Sequence, residues 1–239
     1  MEIYNNNLSF NFLSLSRIEI LIKEKIEYLK EYDQYKLEEY FSFLNKEEDK
    51  IWLKNSIKII DLMLYNDGSM TNFLKILIEK NKKSLKLNLI QSEKFDKNET
   101  KDKIFENNFL FGILQEKYNL EIKSNKIIKR VIEFFTENNE KENEKNVLMF
   151  GISFWNEEKY NSLYSSENEK KIPLGVILRE KKIEFYKETK NECIEINSEN
   201  KEEKDLLILR LSKYYKENEL YFFLIETFQV KKLIQILKE

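Results

Sequence analysis

Two residues combine a chemistry-bearing side chain with surroundings that make the chemistry matter. Arg130 stands between Ile127-Ile128 and Val131-Ile132, and Glu226 stands in Tyr221-Phe222-Phe223-Leu224-Ile225-Glu226-Thr227-Phe228, the most apolar window of the chain. An arginine fork matches a carboxylate bidentately and keeps its charge when buried. An inward-pointing Arg130 therefore needs an anionic partner; the other reading is an Arg130 that faces solvent, or pairs with Glu133 or a neighbouring strand. At Glu226, desolvation disfavours the charged form unless a cation stands beside it. A carboxyl kept protonated can donate, as a general acid must. Its other reading is a structural salt bridge to Arg210 or a lysine. The chain has no His, which removes the usual general base and the commonest metal ligand. Acid–base chemistry is left to carboxylates, Lys, Tyr or the lone Cys193, and one cysteine makes neither an intramolecular disulfide nor a cysteine metal cluster.

Composition bounds the class. The 239 residues are 41% hydrophobic and 35% charged, enough for a sizeable core behind a well-solvated surface. Basic and acidic residues nearly cancel, 41 against 43, so nothing favours a nucleic-acid partner. Residues 1–57 carry 8 basic and 11 acidic side chains, a net −3 that repels phosphates and argues against a winged-helix DNA reader. The chain lacks Ala and has one Pro, four Gly and four Arg, amid abundant Lys, Asn, Ile and Glu. That bias matches an AT-rich coding sequence and makes each remaining Gly, Pro and Arg more informative. Met1–Phe12 lacks the basic start and apolar core of a signal peptide, and the apolar runs, such as Leu220–Ile225, are too short to span a bilayer. The expectation is a soluble cytoplasmic protein.

The elements that must position these residues are legible from periodicity. Residues 9–55 read as helical, with Ile18, Leu21, Ile22, Ile26 and Leu29, then Leu37, Tyr40, Phe41 and Leu44, at three- and four-residue spacings. Asn66-Asp67-Gly68 supplies turn chemistry. Ser69 can cap a following helix that buries Phe73, Leu74 and Leu77. Leu85, Leu87 and Leu89 alternate as in a strand, 91–103 is polar loop, and 104–119 is a short helix weakened by Gly112. Ile127–Phe135 and Val147–Phe154 are strands joined by a polar hairpin tip at 136–146. Pro173 suits the first turn of a helix over Leu174–Glu180. Strands follow at Ile183–Ile196, Leu206–Leu211 and Leu220–Gln229. About six strands in hairpin-like order, with helices before and between them, predict an α+β fold built on a single antiparallel sheet.

Four pieces then stand in order: Asp67-Gly68-Ser69-Met70-Thr71, Lys129-Arg130-Val131-Ile132, Pro173-Leu174-Gly175, and Glu226 inside the last strand, with Leu209-Arg210-Leu211-Ser212 before it. Together they resemble the chorismate lyase (chorismate pyruvate-lyase) family and its shorter archaeal-type relatives. The resemblance covers about residues 58–230 and sets 1–57 apart as an N-terminal helical extension before a lyase-like domain at 58–239. It implies helical flaps over an internal, largely dry pocket, and conversion of chorismate to 4-hydroxybenzoate and pyruvate without a metal or organic cofactor. Arg130 would grip the ring carboxylate, Glu226 would sit near the ring oxygen at the opposite end, and Met70, Leu174 and Gly175 would line the pocket. Some members place a second Arg directly after a Gly on the strand that follows the hairpin; here Gly151 is followed by Ile152. Arg179, Arg210 or a lysine would then have to supply that contact. The alternative is a non-catalytic sensor of small aromatic carboxylates on the same fold.

Overall fold

The computed structural model describes residues 14–25, 30–31, 47–65, 70–79, 84–97, 107–137, 145–197, 204–230 and 232–234. Its strands are β1 (Lys30–Glu31), β2 (Lys86–Asp96), β3 (Lys126–Glu137), β4 (Lys145–Asn156), β5 (Tyr186–Asn197), β6 (Lys204–Lys216) and β7 (Glu219–Gln229). Its helices are α1 (Leu15–Lys25), α2 (Glu47–Tyr65), α3 (Met70–Glu79), α4 (Asn107–Tyr118), α5 (Glu157–Leu163) and α6 (Leu174–Glu180), with a 3-10 turn at Glu169–Lys171. The strands form one sheet in the order β1-β5-β6-β7-β4-β3-β2. Every neighbouring pair is antiparallel, as the hairpin-like sequence order predicts.

Position in the sheet explains strand composition. β3 and β7 lie inside it and are buried on both faces almost throughout, so they read as continuous β-branched and aromatic runs. β2 lies at an edge, pairs on one side only, and alternates exposed and half-buried positions through most of its length. At the β6–β7 hairpin, Glu217 and Asn218 both take positive φ (52° and 62°). That two-residue turn matches the right-handed twist of the strands it joins.

The two faces of the sheet carry different loads. On one face, Ile18, Leu21 and Ile22 of α1 and Leu110, Phe111 and Leu114 of α4 pack on Val131, Ile152, Phe154 and Ile225. On the other face there are two separate clusters. Leu53, Ile57, Ile60 and Leu64 of α2 join Leu74 and Ile78 of α3 over Ile132, Phe134, Met149 and Phe228. Tyr160 and Leu163 of α5 join Ile177 of α6 over Ile128, Trp155 and Phe222. Each large aliphatic side chain so buried contributes roughly 1.5–3 kcal/mol. The gap between those two clusters is where the cavity lies.

Several expectations shift. β2 runs on to Asp96, beyond the loop boundary expected at 91, because Ser92 and Lys94 still find ladder partners in Arg130 and Ile128. Lys30 and Glu31, inside the stretch read as helical, form instead a two-residue strand against Cys193 and Glu192. The buried stripe of α3 is Met70, Leu74 and Ile78, while Phe73 and Leu77 are only half-buried. The hairpin tip expected at 136–146 is shorter than that, because Thr136 and Glu137 extend β3 and pair with Asn146 and Lys145 of β4. The turn residues 66–69, residues 138–144 of that tip, and Ile26, Leu29, Leu37, Tyr40, Phe41 and Leu44 lie outside the described residues. α6 spans Leu174–Glu180 as expected, with Pro173 immediately before it. No helix among the described residues is long and apolar enough to cross a membrane.

Candidate functional site

Antiparallel register lays the side chains of one face out in rows, with neighbouring strands about 4.8 Å apart and same-face residues roughly 6.8 Å apart along a strand. One row runs Arg130, Ser153, Leu224, Ser212 and Thr189 across β3, β4, β7, β6 and β5. The next row runs Ile132, Gly151, Glu226, Arg210 and Asn191. In β4 these rows hold Ser153 and Gly151, and the small side chains leave space. The space is a cavity of about 210 Å³. For scale, an apolar cavity of about 150 Å³ admits benzene, so this one suits a single substituted ring.

The walls come from the flanking rows. Trp155, Phe222 and Tyr214 are cross-strand neighbours, stacked with ring centroids 3.8 Å apart for Trp155–Phe222 and 4.2 Å for Tyr214–Phe222. Trp155 and Tyr214 close that side of the cavity, and Phe134 and Met149 close the other. The lid comes from helix starts: Met70 and Thr71 of α3, and Leu174 and Gly175 of α6. All five residues singled out in the sequence, Met70, Arg130, Leu174, Gly175 and Glu226, line this one cavity. Asp67, Gly68 and Ser69 lie outside the described residues.

Arg130 is 2% exposed and points inward, so the solvent-facing alternative does not hold. One terminal nitrogen, Nη2, donates to the backbone carbonyls of Lys170 (2.8 Å) and Ile172 (3.2 Å), just ahead of α6. The guanidinium lies over the Tyr164 ring, 5.1 Å from its centroid. Its Nε is buried with no hydrogen-bond partner. An unsatisfied buried donor costs roughly 1–3 kcal/mol, and such exceptions mark places where a further group belongs. Burial pushes the Tyr164 phenol up to about 12, against the opposing pull of Arg130.

Glu226 meets a cation. Arg210 Nη1 donates to Glu226 Oε2 at 2.8 Å, with the two side chains 1% and 8% exposed. Of the two sequence readings of Glu226, the ion pair with Arg210 is the one the fold builds, and it builds it inside the cavity rather than away from it. Arg210 Nε also donates to the Leu64 carbonyl at 3.2 Å, and Asn191 Nδ2 reaches the same oxygen at 3.4 Å. Leu64 lies in the last turn of α2, whose carbonyls have no partners within the helix and carry the negative end of its dipole. Arg210 thus fixes the Glu226 carboxylate and anchors the helix that leads to the lid. Burial, with the Glu226 charge adding to it and Arg210 opposing, pushes the Tyr214 phenol well above its ordinary value.

The residue after Gly151 does not face this cavity. Ile152 is fully buried in the core on the opposite face, beside Val131 and Ile225. Among the described residues, the cavity is lined by two basic side chains besides Arg130, namely Arg210 and Lys187. Arg179 is exposed on α6. Lys187, Ser153, Trp155 and Tyr214 went unmarked in the sequence. Alternation does place Lys187, Thr189, Asn191 and Cys193 on one face of a strand, but which face reaches the cavity depends on a register that only pairing fixes.

The geometry defines a class first: a single antiparallel sheet, one face of which encloses a small cavity under helix starts. The chain belongs to the Rv2949c-like chorismate pyruvate-lyase family, whose profile matches residues 64–207. Among solved structures it is similar to PhnF from Mycobacterium smegmatis, at 8% identity and a TM-score of 0.45, over 90% of this chain and 95% of that one. The effector domain of PhnF gives 10% identity and a TM-score of 0.42, over 68% and 88%. YydK from Bacillus subtilis, described as a possible transcriptional regulator, gives 11% identity and a TM-score of 0.40, over 91% and 93%. No curated protein matches the chain.

Proposed function

We propose that the protein converts chorismate to 4-hydroxybenzoate and pyruvate in the cavity between β3, β4, β7 and the two helix starts. Arg130 carries the reading. A buried guanidinium that spends one nitrogen on backbone carbonyls and leaves Nε unpartnered is set to receive a carboxylate. In this reading the ring carboxylate docks on Arg130. The ring hydroxyl at the para carbon donates to Glu226 Oε1 at the other end, and the ring lies between the Trp155 side and the Phe134–Met149 side.

The chemistry asks little of the protein. The C3–O bond to the enolpyruvyl group breaks and the hydrogen on C4 leaves as a proton. The ring becomes aromatic, and the released enol takes up a proton to become pyruvate. The driving force is in the substrate, so the site contributes by orienting it and excluding water. The Arg210 pair favours Glu226 as the group that positions the ring oxygen, over Glu226 as a proton donor. The same pair supports the second reading, a binding domain for small aromatic carboxylates with no turnover.

Incubation with chorismate, read as 4-hydroxybenzoate by absorbance or mass, separates the two readings. Arg130→Ala removes a charge-assisted pair worth roughly 1.5–3 kcal/mol, and Arg130→Lys rescues only partly because the fork is lost. Glu226→Gln retains most activity if Glu226 only positions the ring oxygen, and slows turnover about 10²–10⁴-fold if it moves the proton. Product binding without turnover in the wild type would leave the sensor. Unchanged turnover and product binding in Arg130→Ala would remove the site assignment itself.

A further inference from the structure

We infer that the Tyr214 phenol is the hydrogen-bond donor to the oxygen that leaves with pyruvate; this rests on the reaction just proposed and adds a residue to it. Tyr214 stands on β6, four residues beyond Arg210 and on the same face of the sheet, and it lines the cavity. Its ring is held firmly. Phe222 stacks on it with centroids 4.2 Å apart and planes 16° apart, and Phe185 meets it edge-on at 6.1 Å. That packing needs a ring and no hydroxyl, so a phenylalanine would serve it equally well.

The hydroxyl is surplus to the fold. Among the described residues it has no hydrogen-bond partner, although a buried tyrosine hydroxyl usually finds one. Its neighbours around the cavity are already engaged. Trp155 Nε1 donates to Ser153 Oγ at 2.8 Å, and Ser153 Oγ donates to the Arg130 carbonyl at 3.3 Å. Arg210 holds Glu226 and the Leu64 carbonyl. Thr71, the remaining hydroxyl on the cavity, belongs to the lid. Burial, reinforced by the Glu226 charge against the opposing pull of Arg210, keeps the Tyr214 phenol protonated at neutral pH, so it acts as a donor and not as a base. The Glu226 charge reaches this hydroxyl with no hydrogen bond between the two, and the space between them takes a ligand atom.

The proposed reaction supplies that atom. With the ring carboxylate on Arg130 and the para oxygen at Glu226, the oxygen on the adjacent ring carbon meets Tyr214 when the ring turns that edge toward the aromatic wall. In chorismate it is the enolpyruvyl ether oxygen. When its bond to C3 breaks, the electron pair stays on the oxygen. C4 gives up one proton and the departing enolate gains one at its methylene carbon, so atoms and charge balance with no further reactant. Tyr214 keeps its own proton throughout. A donor aimed at this oxygen stabilises charge that grows only as the bond breaks, which is where a hydrogen bond accelerates a reaction.

Tyr214→Phe keeps the stacked ring and removes only the donor. Two stable ligands, 4-hydroxybenzoate and 3-methoxy-4-hydroxybenzoate, differ by the ether oxygen that Tyr214 should contact. In titration calorimetry the variant should bind the methoxy ligand about three- to tenfold more weakly and 4-hydroxybenzoate within about twofold of wild type. With chorismate, kcat should fall about 10²-fold while KM changes little, the split expected when a contact strengthens in the transition state. A purely structural tyrosine would weaken both ligands alike. Equal effects on the two ligands, or a kcat within about threefold of wild type, overturns the role of Tyr214 and leaves the Arg130 site standing. Wild-type protein that binds neither ligand, or that never turns over chorismate, overturns the reaction on which this role rests.

Discussion

Replacing Arg210 with methionine should destabilise the fold more than any single surface change, and the structure says by how much. Arg210 is 1% exposed and is the ion-pair partner of Glu226, whose side chain is 8% exposed. Removing it leaves a buried carboxylate without its cation, which costs roughly 3–5 kcal/mol. The Leu64 carbonyl loses one donor but keeps Asn191 Nδ2 at 3.4 Å, so little further cost arises there. Urea unfolding, followed by the fluorescence of buried Trp155 or by circular dichroism, measures the loss. The informative comparison is the double variant Arg210→Met with Glu226→Leu. Exchanging a whole buried pair for apolar side chains is often neutral, or stabilising by about 1–4 kcal/mol. The double variant should then be more stable than Arg210→Met alone, the reverse of additive damage. A cost below about 1 kcal/mol for Arg210→Met, or a double variant as unstable as the summed singles, would show that the pair is not the desolvated unit described above.

Two further outcomes follow from the same geometry. A Cβ at position 151 would lie 3.0 Å from Ile132 Cγ1 and 3.2 Å from its Cδ1, so Gly151→Ala should cost about 1–3 kcal/mol by overpacking; a melting curve unchanged from wild type would mean Ile132 turns aside freely. In alkali, Tyr164 keeps its proton to about pH 12 in the fold but only to about 10 in the unfolded chain. As pH rises the unfolded state loses its proton first, so this contribution is complete below about pH 10 and declines by roughly 2–3 kcal/mol toward pH 12. Tyr118 and Tyr214 are raised in the same direction and steepen that decline. Denaturation midpoints that stay flat over this range would contradict the buried placement of the phenols.

How far the sequence could be read depended on whether a feature is local. The strands of β3 and β7 announce themselves because both their faces are buried and every position answers to the same pressure. α6 was legible from Pro173 and the residues after it. Arg130 and Glu226 stood out because a lone charge among β-branched and aromatic neighbours is costly without a partner. What stayed open was every question of facing and register. Whether Glu226 meets Arg210 depends on β6 and β7 being in phase at those two residues. Whether position 152 could contribute to the cavity is decided by the phase of β4, which turns Ile152 to the other face. Lys187 lies in a polar strand near the sheet edge, where charged residues are ordinary, and nothing local separates it from Lys190, which is exposed.

β4 also sets how this protein can change over evolutionary time. Gly151 and Ser153 open the cavity, while Phe150, Ile152 and Phe154, their immediate chain neighbours, belong to the packing on the far side. A drifting lineage can therefore revise what the molecule recognises one residue at a time without loosening its scaffold, provided the revisions fall on alternate positions. Insertions are a different matter. A single added residue in β4 exchanges the two sets and removes recognition and scaffold in one step. Descendants with new ligands should differ by substitution within this strand, and by length only in the connections outside it.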